Sequence, residues 1–575
     1  MNKPLMRLVL VSLGLASICG AGSIKDYVKH RFNAEQVEVS DIQGLQQRVR
    51  DGKLHLHLHD FLELVLKNAT DIQVTRLDVY TAANQITSAK SPFDPTLALQ
   101  FNTLRSVSPL FFGGGAFGPP GSTGGNGGTG TPGQTNGGLG GNSPINVVLP
   151  ETISSLSQNS AVTYQQLLPT GQTISTNFSA SRSSGDGFPF PAIFGSLNFQ
   201  ITQPLWQNRT NLQFRAPLMI ARTQLVISSE QSEATIGDTV AAAARQYWEA
   251  ILARDNIRVQ EQTVALAQKS YEHDKKALDL GAIAKLDILQ SETQVAERNR
   301  ELVQARFQYR AALDALRRLI GADLTPALRD TDIVLEDDPS VVPPKSSILP
   351  FEQALAQAAQ VRPESKAAQQ KLSIDDLSAR AAHDQLRPQL NLSLQGGATG
   401  PGLNQIGVGS TIGSPNTPFP GLGETLKQTL AFDFPSYGFG LQLNFPFRNS
   451  TAQASLADSL VSKARDRYQK RLTQQQIVFD VRQALDSIEL ADASISAAIT
   501  ARDLAQKNVE AEQQKYVLGS ITAFELLDSQ TRLASSESAL LNAYVTYQEA
   551  YINYQRATWT LLDGYGIIVQ SPKVN

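Results

Sequence analysis

The chain lacks the residues on which several common architectures depend. It holds one cysteine, Cys19, in 575 residues, which excludes a disulfide framework and any metal site built from several cysteines. Aromatic residues make up 7% and charged residues 18% of the chain. Because 50 Lys plus Arg stand against 53 Asp plus Glu, for a net charge of -3, with no basic block, the chain lacks the electrostatic footprint of a nucleic-acid-binding protein.

Long hydrophobic runs are also missing. The run at residues 8–18 follows Lys3 and Arg7 and precedes small residues, an order that predicts a signal peptide over residues 1–22 and an exported protein. This core of about 11 residues is too short to span a bilayer, and no later run reaches 18 apolar residues. Cys19 leaves two alternatives, removal with the signal or lipidation, although Ile18 stands where lipoprotein signals carry a small residue.

Motifs for catalysis and cofactors are absent too. The chain has no HExxH, GxSxG or Walker A motif, so we predict no enzyme activity and no cofactor.

His55, His57 and His59 alternate with leucines. In a strand their rings would line one face, which makes them a weak candidate for a divalent metal site. The alternative is a strand or helix lead-in with exposed histidines.

The sequence does contain an internal duplication. Leu266-Ala267-Gln268-Lys269 recurs 238 residues later as Leu504-Ala505-Gln506-Lys507, and Pro95-Thr96-Leu97 matches Pro388-Gln389-Leu390 with an offset of 293. Gln203-Pro204-Leu205 matches Phe445-Pro446-Phe447. We therefore divide the chain into a first repeat at 60–321, a linker at 322–352, a second repeat at 353–564 and a tail at 565–575.

Each repeat has the same predicted order of elements. A helical segment (61–89; 351–386) precedes a strand, a loop, a second strand and a pair of long helices. The strands alternate apolar and polar residues. The first long helix of each pair runs over about 70 residues (211–280; 451–518), and the second shows heptad spacing, as at Leu526, Leu533 and Leu540. Fifteen of 29 residues from Gly113 to Gly141 are glycine, which predicts a flexible loop over 105–160.

The number of strands predicts an assembly of several chains. Each chain supplies four strands, or six if residues 162–168 and 172–182 also pair. Either number is too small to close a water-filled barrel, and a bilayer does not tolerate open sheet edges. Closure would therefore require several copies of the chain.

In its duplication, strand order, hairpin lengths and tip sequences the chain resembles the TolC-like outer membrane efflux proteins, or outer membrane factors. The resemblance implies an α+β membrane protein whose trimer joins four strands per protomer into a twelve-stranded outer membrane β-barrel. Long coiled-coil hairpins would continue it as a periplasmic α-barrel, and the Gly-rich loop would be extracellular. The implied function is the exit duct of a tripartite efflux pump or type I secretion system, with a periplasmic adaptor and an inner membrane transporter as partners.

The resemblance also assigns roles at the hairpin tips. It implies adaptor-docking turns at Leu280, Gly281 and Ala282 and at Leu518, Gly519 and Ser520. It implies an acidic ring at the pore entrance from Glu525, Asp528 and Asp287; the alternative is that these are solvated acids at helix starts. A tyrosine-to-aspartate link between Tyr516 and Asp287 would hold the tip closed, whereas Ile521 replaces the arginine of a second link.

A different class of function also fits the pattern. The helices could form the stalk of a surface-anchored structural or adhesive protein that displays the Gly-rich loop. Channel formation distinguishes the two hypotheses, because only the export duct conducts ions.

Overall fold

The computed structural model describes residues 42, 44–45, 48–109, 152–185, 191–280, 285–324, 326, 329, 331–401, 421–518 and 520–566. The predicted signal peptide, Cys19, the glycine-rich core of the loop and most of the tail lie outside the described residues. The described part comprises two compact units. A sheet unit contains Pro92–Leu212 and Arg387–Phe447, and a helical unit contains the described residues of 34–91, 213–386 and 448–575.

Within the described residues, the first repeat and the segment before it supply six strands and four α-helices. In chain order they are β1 (Val49–Arg50), β2 (Lys53–Leu56), α1 (Leu58–Asn68), α2 (Thr70–Lys90), β3 (Thr96–Pro109), β4 (Thr152–Leu167), β5 (Thr173–Gly185), β6 (Ala192–Pro204), α3 (Leu212–Asp279) and α4 (Lys285–Ile320).

The linker and the second repeat supply the remaining described strands and α-helices. They are β7 (Asp332–Leu335), α5 (Phe351–Val361), α6 (Pro363–Asp384), β8 (Gln389–Gly400), α7 (Leu422–Ala431), β9 (Phe434–Asn444), α8 (Ser450–Val517), α9 (Ala523–Thr558) and the short α10 (Leu561–Gly564).

The sheet unit is built on one antiparallel sheet in the order β3-β4-β5-β6-β8-β9. Of the two predicted alternatives, the structure has the six-stranded one, because the segments at 162–168 and 172–182 lie in β4 and β5. The predicted loop boundaries of 105–160 were wrong at both ends. Arg105 pairs with Leu156, and the pairing of β3 with β4 continues to Pro109 opposite Thr152. Although these two segments contain Ser and Asn, their backbone groups form hydrogen bonds within the sheet.

The predicted alternation of apolar and polar residues is confirmed in the sheet. Leu99 pairs with Val162, Val162 with Phe178, and Phe178 with Leu197, so these side chains share one face across four strands. Many residues of this apolar face are exposed in the single chain, including Phe439 at 79%.

Helix α7 packs closely against β6 and β8. A Cβ atom on Gly195 would lie 2.7 Å from Thr429 Oγ1, and one on Gly400 would lie 2.4 Å from the carbonyl oxygen of Thr425. Both threonines are fully buried. The two glycines therefore let the helix approach to a distance that a side chain would prevent.

The helical lead-in of each repeat consists of two helices, where the sequence predicted one. The first breaks at Ala69 (ψ 121°) and the second at Arg362 (ψ 127°), and these positions differ by the repeat offset of 293. Pro363 explains the second break, because the residue before a proline is disfavoured in the helical conformation.

The long helices match the predictions closely. Helices α3 and α8 each contain 68 residues, and their partners α4 and α9 each contain 36. Buried residues on α8 follow steps of four and three, from Ile477 and Val481 to Ala484 and Ile488, which is coiled-coil spacing. None of the helices in the described part of the chain is long and apolar enough to cross a membrane.

The linker contributes to the core of the helical unit. Its strand β7 pairs in parallel with β2, with Ile333 opposite Leu54. Buried leucines of β2 and α1 pack with Tyr247 and Ile251 of α3 in one cluster. The segment at 322–352 is thus more than a connection between repeats.

Candidate functional site: the hairpin tips

The second hairpin tip, the turn that joins α8 to α9, is ordered by local hydrogen bonds at both of its ends. The backbone N–H and the hydroxyl of Ser520 both donate to the carbonyl of Lys515, at 3.0 and 2.9 Å. Thr522 caps α9, and its Oγ1 accepts from the N–H of Glu525 at 3.4 Å. This Thr-x-x-Glu arrangement is typical of a helix start, so the sequence itself fixes where α9 begins.

Both tips present apolar side chains to solvent. Leu280 is 85% exposed in the first turn, and Leu518 is 81% exposed in the second. Val517 and Phe524 are exposed as well, at 71% and 63%. Of the other predicted docking residues, Gly281, Ala282 and Gly519 lie outside the described residues. Exposed apolar residues gathered at one place are typical of a protein-binding surface.

Two of the predicted pore acids lie on the exposed face of α9. Glu525 and Asp528 are exposed and three residues apart, so they share one side of the helix. Arg532 Nε donates to Asp528 at 2.8 Å, so this carboxylate has a cation beside it, on an exposed surface that weakens the pair. The side chain of the third acid, Asp287, lies outside the described residues.

A hydrogen-bonded cluster joins the two hairpins near their tips. Asp274 of α3 is 2% exposed, and its two carboxylate oxygens accept from Tyr516 of α8 and from Ser291 of α4. The tyrosine predicted to form the tip link therefore bonds to Asp274 in this structure. Its predicted link to Asp287 stays a prediction.

Buried surroundings strengthen this cluster. The rings of His273 and Tyr516 have centroids 5.0 Å apart. Burial and the hydrogen bond to Asp274 raise the pKa of the Tyr516 hydroxyl above its usual value, so the tyrosine stays protonated as a donor at neutral pH. A bond to a charged acceptor in a buried site contributes more than one on the surface.

The heptad pattern of α3 indicates that Asp274 is buried, which the sequence prediction missed. Buried residues of α3 follow steps of four, four, three and four in this region. They are Val259, Thr263, Ala267, Ser270 and Asp274. An acid at a core position needs a buried partner. The matching position in the other repeat is Glu512, which is less buried than Asp274 and pairs with Lys515 at 3.0 Å.

The three histidines do not line one strand face but span the end of β2 and the start of α1, as in the alternative of a strand or helix lead-in. Strand β2 ends at Leu56, and His59 lies in α1, whose first N–H, from Leu58, donates to Asp337 Oδ2 at 2.7 Å. His55 Nδ1 lies 2.7 Å from Glu336, and His57 contacts Glu336 and Asp337 at 2.6 and 3.0 Å. The described residues include no group of three or more His, Cys, Asp or Glu side chains suited to a metal ion.

Both repeats of the chain match the sequence profile of one protein family. The sequence profile described as outer membrane efflux protein matches residues 157–322 and 354–558, one segment in each repeat and together more than half of the chain. The chain belongs to the outer membrane efflux protein family. This confirms the resemblance seen in the sequence and places the protein among the outer membrane channels that serve efflux. No curated protein sequence matches the chain.

Solved structures of outer membrane channels and proteins share the fold. The CusC structures, which concern folding and transmembrane channel formation, align with a TM-score of 0.58 at 16% identity, over 87% of this chain and 91% of that one. The CmeC outer membrane channel of Campylobacter jejuni gives 0.57 at 13%, over 88% and 86%. VceC, an outer membrane protein of Vibrio cholerae, gives 0.57 at 14%, over 87% and 95%.

Proposed function

We propose that this chain is the passive exit duct of an efflux pump, spanning the outer membrane and reaching into the periplasm. The observation that carries the proposal is the exposed apolar face of the sheet, on strands of 11 to 16 residues. About 9 to 11 residues of a tilted strand suffice to cross the hydrocarbon core. An apolar outer face and a polar inner one suit a wall between lipid and a wet lumen.

The working unit is a homotrimer, as the family resemblance implies. An exposed apolar stripe on α8 supports self-association: Val461, Tyr468, Leu472, Phe479 and Leu490 are each more than half exposed. Steps of 7, 4, 7 and 11 residues keep them on one side of the helix, opposite the buried seam. A long apolar stripe in water needs a partner, and a neighbouring copy of α8 or α4 can supply it.

The tips dock the pump partners and control the entrance. The exposed apolar residues at the turns would contact a periplasmic adaptor, and the adaptor would couple the duct to an inner membrane transporter that supplies the energy. Glu525 and Asp528 from three chains would surround a narrow mouth with carboxylates, which favour cations. The link from Tyr516 to an aspartate of the other hairpin would hold the mouth closed.

The cargo is a small molecule in an efflux pump, or a protein in a type I secretion system, and the transporter selects it. The alternative stalk function finds less support, since the family profile matches both repeats and family members are transport proteins. A stalk would also have no need of an apolar sheet face wide enough to contact lipid.

Native mass spectrometry in detergent and liposome swelling test the proposal together. We expect a trimer that makes liposomes permeable to small sugars. Phe479→Asp with Leu490→Asp should shift the protein towards monomers, whereas Gln474→Asp, at an exposed position of α8 outside the stripe, should leave the trimer intact. A monomer that never permeabilises liposomes would favour the stalk.

A further inference from the structure

The two repeats contribute unequal numbers of strands to the sheet. In the second repeat β8 pairs directly with β9. Their counterparts in the first repeat, by the sequence matches at Pro95 and Gln203, are β3 and β6. These do not pair with each other, because the hairpin of β4 and β5 lies between them. Among the residues that the structure describes, the first repeat therefore carries two sheet strands more than the second.

The inserted hairpin is a full part of the sheet. It pairs with β3 from Thr96–Gln165 to Pro109–Thr152 and with β6 from Thr173–Thr202 to Ser183–Ala192. Strands β4 and β5 contain 16 and 13 residues, enough to cross the hydrocarbon core.

A tight turn fixes the register of this hairpin. Leu168 N–H donates to the Gln172 carbonyl at 2.8 Å, and Gly171 N–H donates to the Leu168 carbonyl at 2.9 Å. Gly171 has φ +92°, a conformation that favours glycine. The fully buried Asn211, directly before α3 in the chain, donates from its side chain to the same Leu168 carbonyl at 3.1 Å. This bond holds the turn in place.

The sheet has two edges without a partner among the residues that the structure describes. Strand β3 pairs only with β4, and β9 pairs only with β8. All five pairings are antiparallel, so in a sheet of six strands the two edge strands run in opposite directions. An edge β9 can therefore continue the antiparallel pattern beside β3 of another copy, which is what closure in lipid requires.

The edge strands are also the ones with the most exposed apolar face. Leu99 on β3 is 75% exposed and Phe439 on β9 is 79% exposed, whereas Val162 and Phe178 on the interior strands β4 and β5 are half-buried. This difference is expected where each edge lacks one neighbouring strand. The apolar face is therefore most exposed at the two edges, where a further strand could pair.

We propose that each copy of this chain contributes six strands to the membrane wall, so that the trimer closes an 18-stranded barrel through β9–β3 pairs between copies. This inference rests on the trimeric duct proposed above, and departs from the four strands per protomer that the resemblance implies. Barrel diameter grows about linearly with strand number, and barrels of 16–18 strands enclose an aqueous channel. The lumen at membrane level is therefore about one and a half times as wide as that of a 12-stranded wall.

Cysteine pairs in the full-length protein, in the outer membrane, test which strands are neighbours. The variants start from a chain carrying Cys19→Ser, so that no native thiol interferes. Gln100→Cys on β3 is combined in turn with Gly438→Cys, Gly440→Cys or Gln442→Cys on β9, which lie on the same face of the sheet. We expect at least one combination to give disulfide-linked dimers and trimers on a gel without reductant, because these strands meet only between copies.

Two matched pairs serve as controls. Ser106→Cys with Ser155→Cys spans β3 and β4, where the native hydroxyls are 2.8 Å apart, and should form a disulfide within one chain. Asn102→Cys with Ser196→Cys, on the same face, spans β3 and β6, which three inter-strand spacings of about 4.8 Å keep at least about 14 Å apart, and should not react. A disulfide within the chain for this second pair would mean that β4 and β5 leave the sheet and would overturn the proposal.

Counting strands in a cross-section by electron cryomicroscopy gives an independent result. Eighteen strands around one lumen support the proposal. Twelve strands, whether from three copies with four each or from two copies with six each, contradict it. A conducting 12-stranded trimer would overturn this inference and leave the proposed duct intact, whereas a monomer without conductance would contradict the duct itself.

Discussion

Tyr516 donates its phenolic hydrogen to the buried carboxylate of Asp274, which belongs to the other helical hairpin. Hydrogen bonds to charged groups contribute about 1.5–3 kcal/mol. If this bond is lost when the tips separate, removing it shifts the balance towards the open tip by about 10- to 100-fold. We therefore predict that Tyr516→Phe and Asp274→Asn each raise the single-channel conductance or open probability in planar bilayers.

The same experiment separates the two candidate partners of Tyr516. Asp287→Asn should have a smaller effect than Asp274→Asn, and the double variant of Tyr516→Phe with Asp274→Asn should add little to either single change. A rise in conductance with Asp287→Asn alone, with Asp274→Asn at the native value, would assign the closing link to Asp287.

Histidine 57 makes the stability of the helical unit depend on pH. Its hydrogen bond with Asp337 raises its pKa above the ordinary value of 6.5, and the charges of Asp337, Glu336 and Asp60 add to the rise against the opposing effect of burial. Because the folded-state pKa is the higher one, this contribution is fully present below about pH 6.5 and is lost as the pH rises through the raised pKa.

Thermal unfolding measured between about pH 5.5 and 8.5 checks this dependence. His57→Gln should flatten the fall in the unfolding midpoint towards high pH. His59→Gln, at an exposed position two residues away, should follow the native curve. Parallel curves for the native protein and His57→Gln would contradict the assignment.

Glycine 237 lets α3 approach the end of α9. A Cβ atom there would lie 2.5 Å from the Trp559 ring. The ring is held in place because its N–H donates to Glu233 at 3.2 Å, and the backbone of Trp559 is left-handed, with φ +60°. Overpacking of this kind costs about 1–3 kcal/mol. We predict that Gly237→Ala lowers the unfolding midpoint in detergent.

The control for this change is Gly423→Ala in α7. Nothing lies within 4 Å of a Cβ atom at Gly423, so alanine should gain helix propensity of up to about 1 kcal/mol without a clash. If both variants are as stable as the native protein, the contact between Gly237 and Trp559 does not limit packing.

A buried arginine joins α6 to α8. Arg362 is 3% exposed and donates to Glu364 at 3.0 Å and to Asp480 at 2.8 Å. Burial opposes ionisation of Glu364, but the hydrogen bond and charge of Arg362 outweigh it and lower the pKa of this carboxyl. The contribution of Glu364 is thus present above its ordinary pKa and is lost as the pH falls through the lowered value.

Removing the arginine leaves two carboxylates without their main partner. Loss of one member of a buried ion pair costs about 3–5 kcal/mol, and since Arg556 stays within 3.5 Å of Asp480 we expect a loss near the lower limit for Arg362→Met. Adding Glu364→Gln and Asp480→Asn to that variant should recover much of the stability measured by thermal unfolding. No recovery would show that the loss arises from packing around Arg362 instead.

Periodicity in the sequence was enough to predict the long helices, because heptads and the scarcity of internal prolines, with Pro217 near the start of α3 as an exception, are local signals. The strand count was not decided in advance. Strands β4 and β5 are rich in Ser, Thr and Asn, a composition shared by loops and by strands that face a wet lumen, so pairing partners far along the chain determine which form they take.

The contacts of His57 and Asp274 were beyond prediction for a related reason. His57 meets Asp337, 280 residues away, through the parallel pairing of β2 with β7. Tyr516 meets Asp274 across 242 residues. No local spacing encodes such contacts, although the position of Asp274 on the buried seam of α3 does indicate that it needs a partner.

Conductance of the purified protein in planar lipid bilayers tests the central claim most directly. An export duct predicts discrete single-channel steps, cation preference from Glu525 and Asp528 that weakens in Glu525→Gln with Asp528→Asn, and larger steps in Tyr516→Phe. A correctly folded trimer that inserts into the bilayer but shows no steps, in the native form and in Tyr516→Phe alike, would contradict the account.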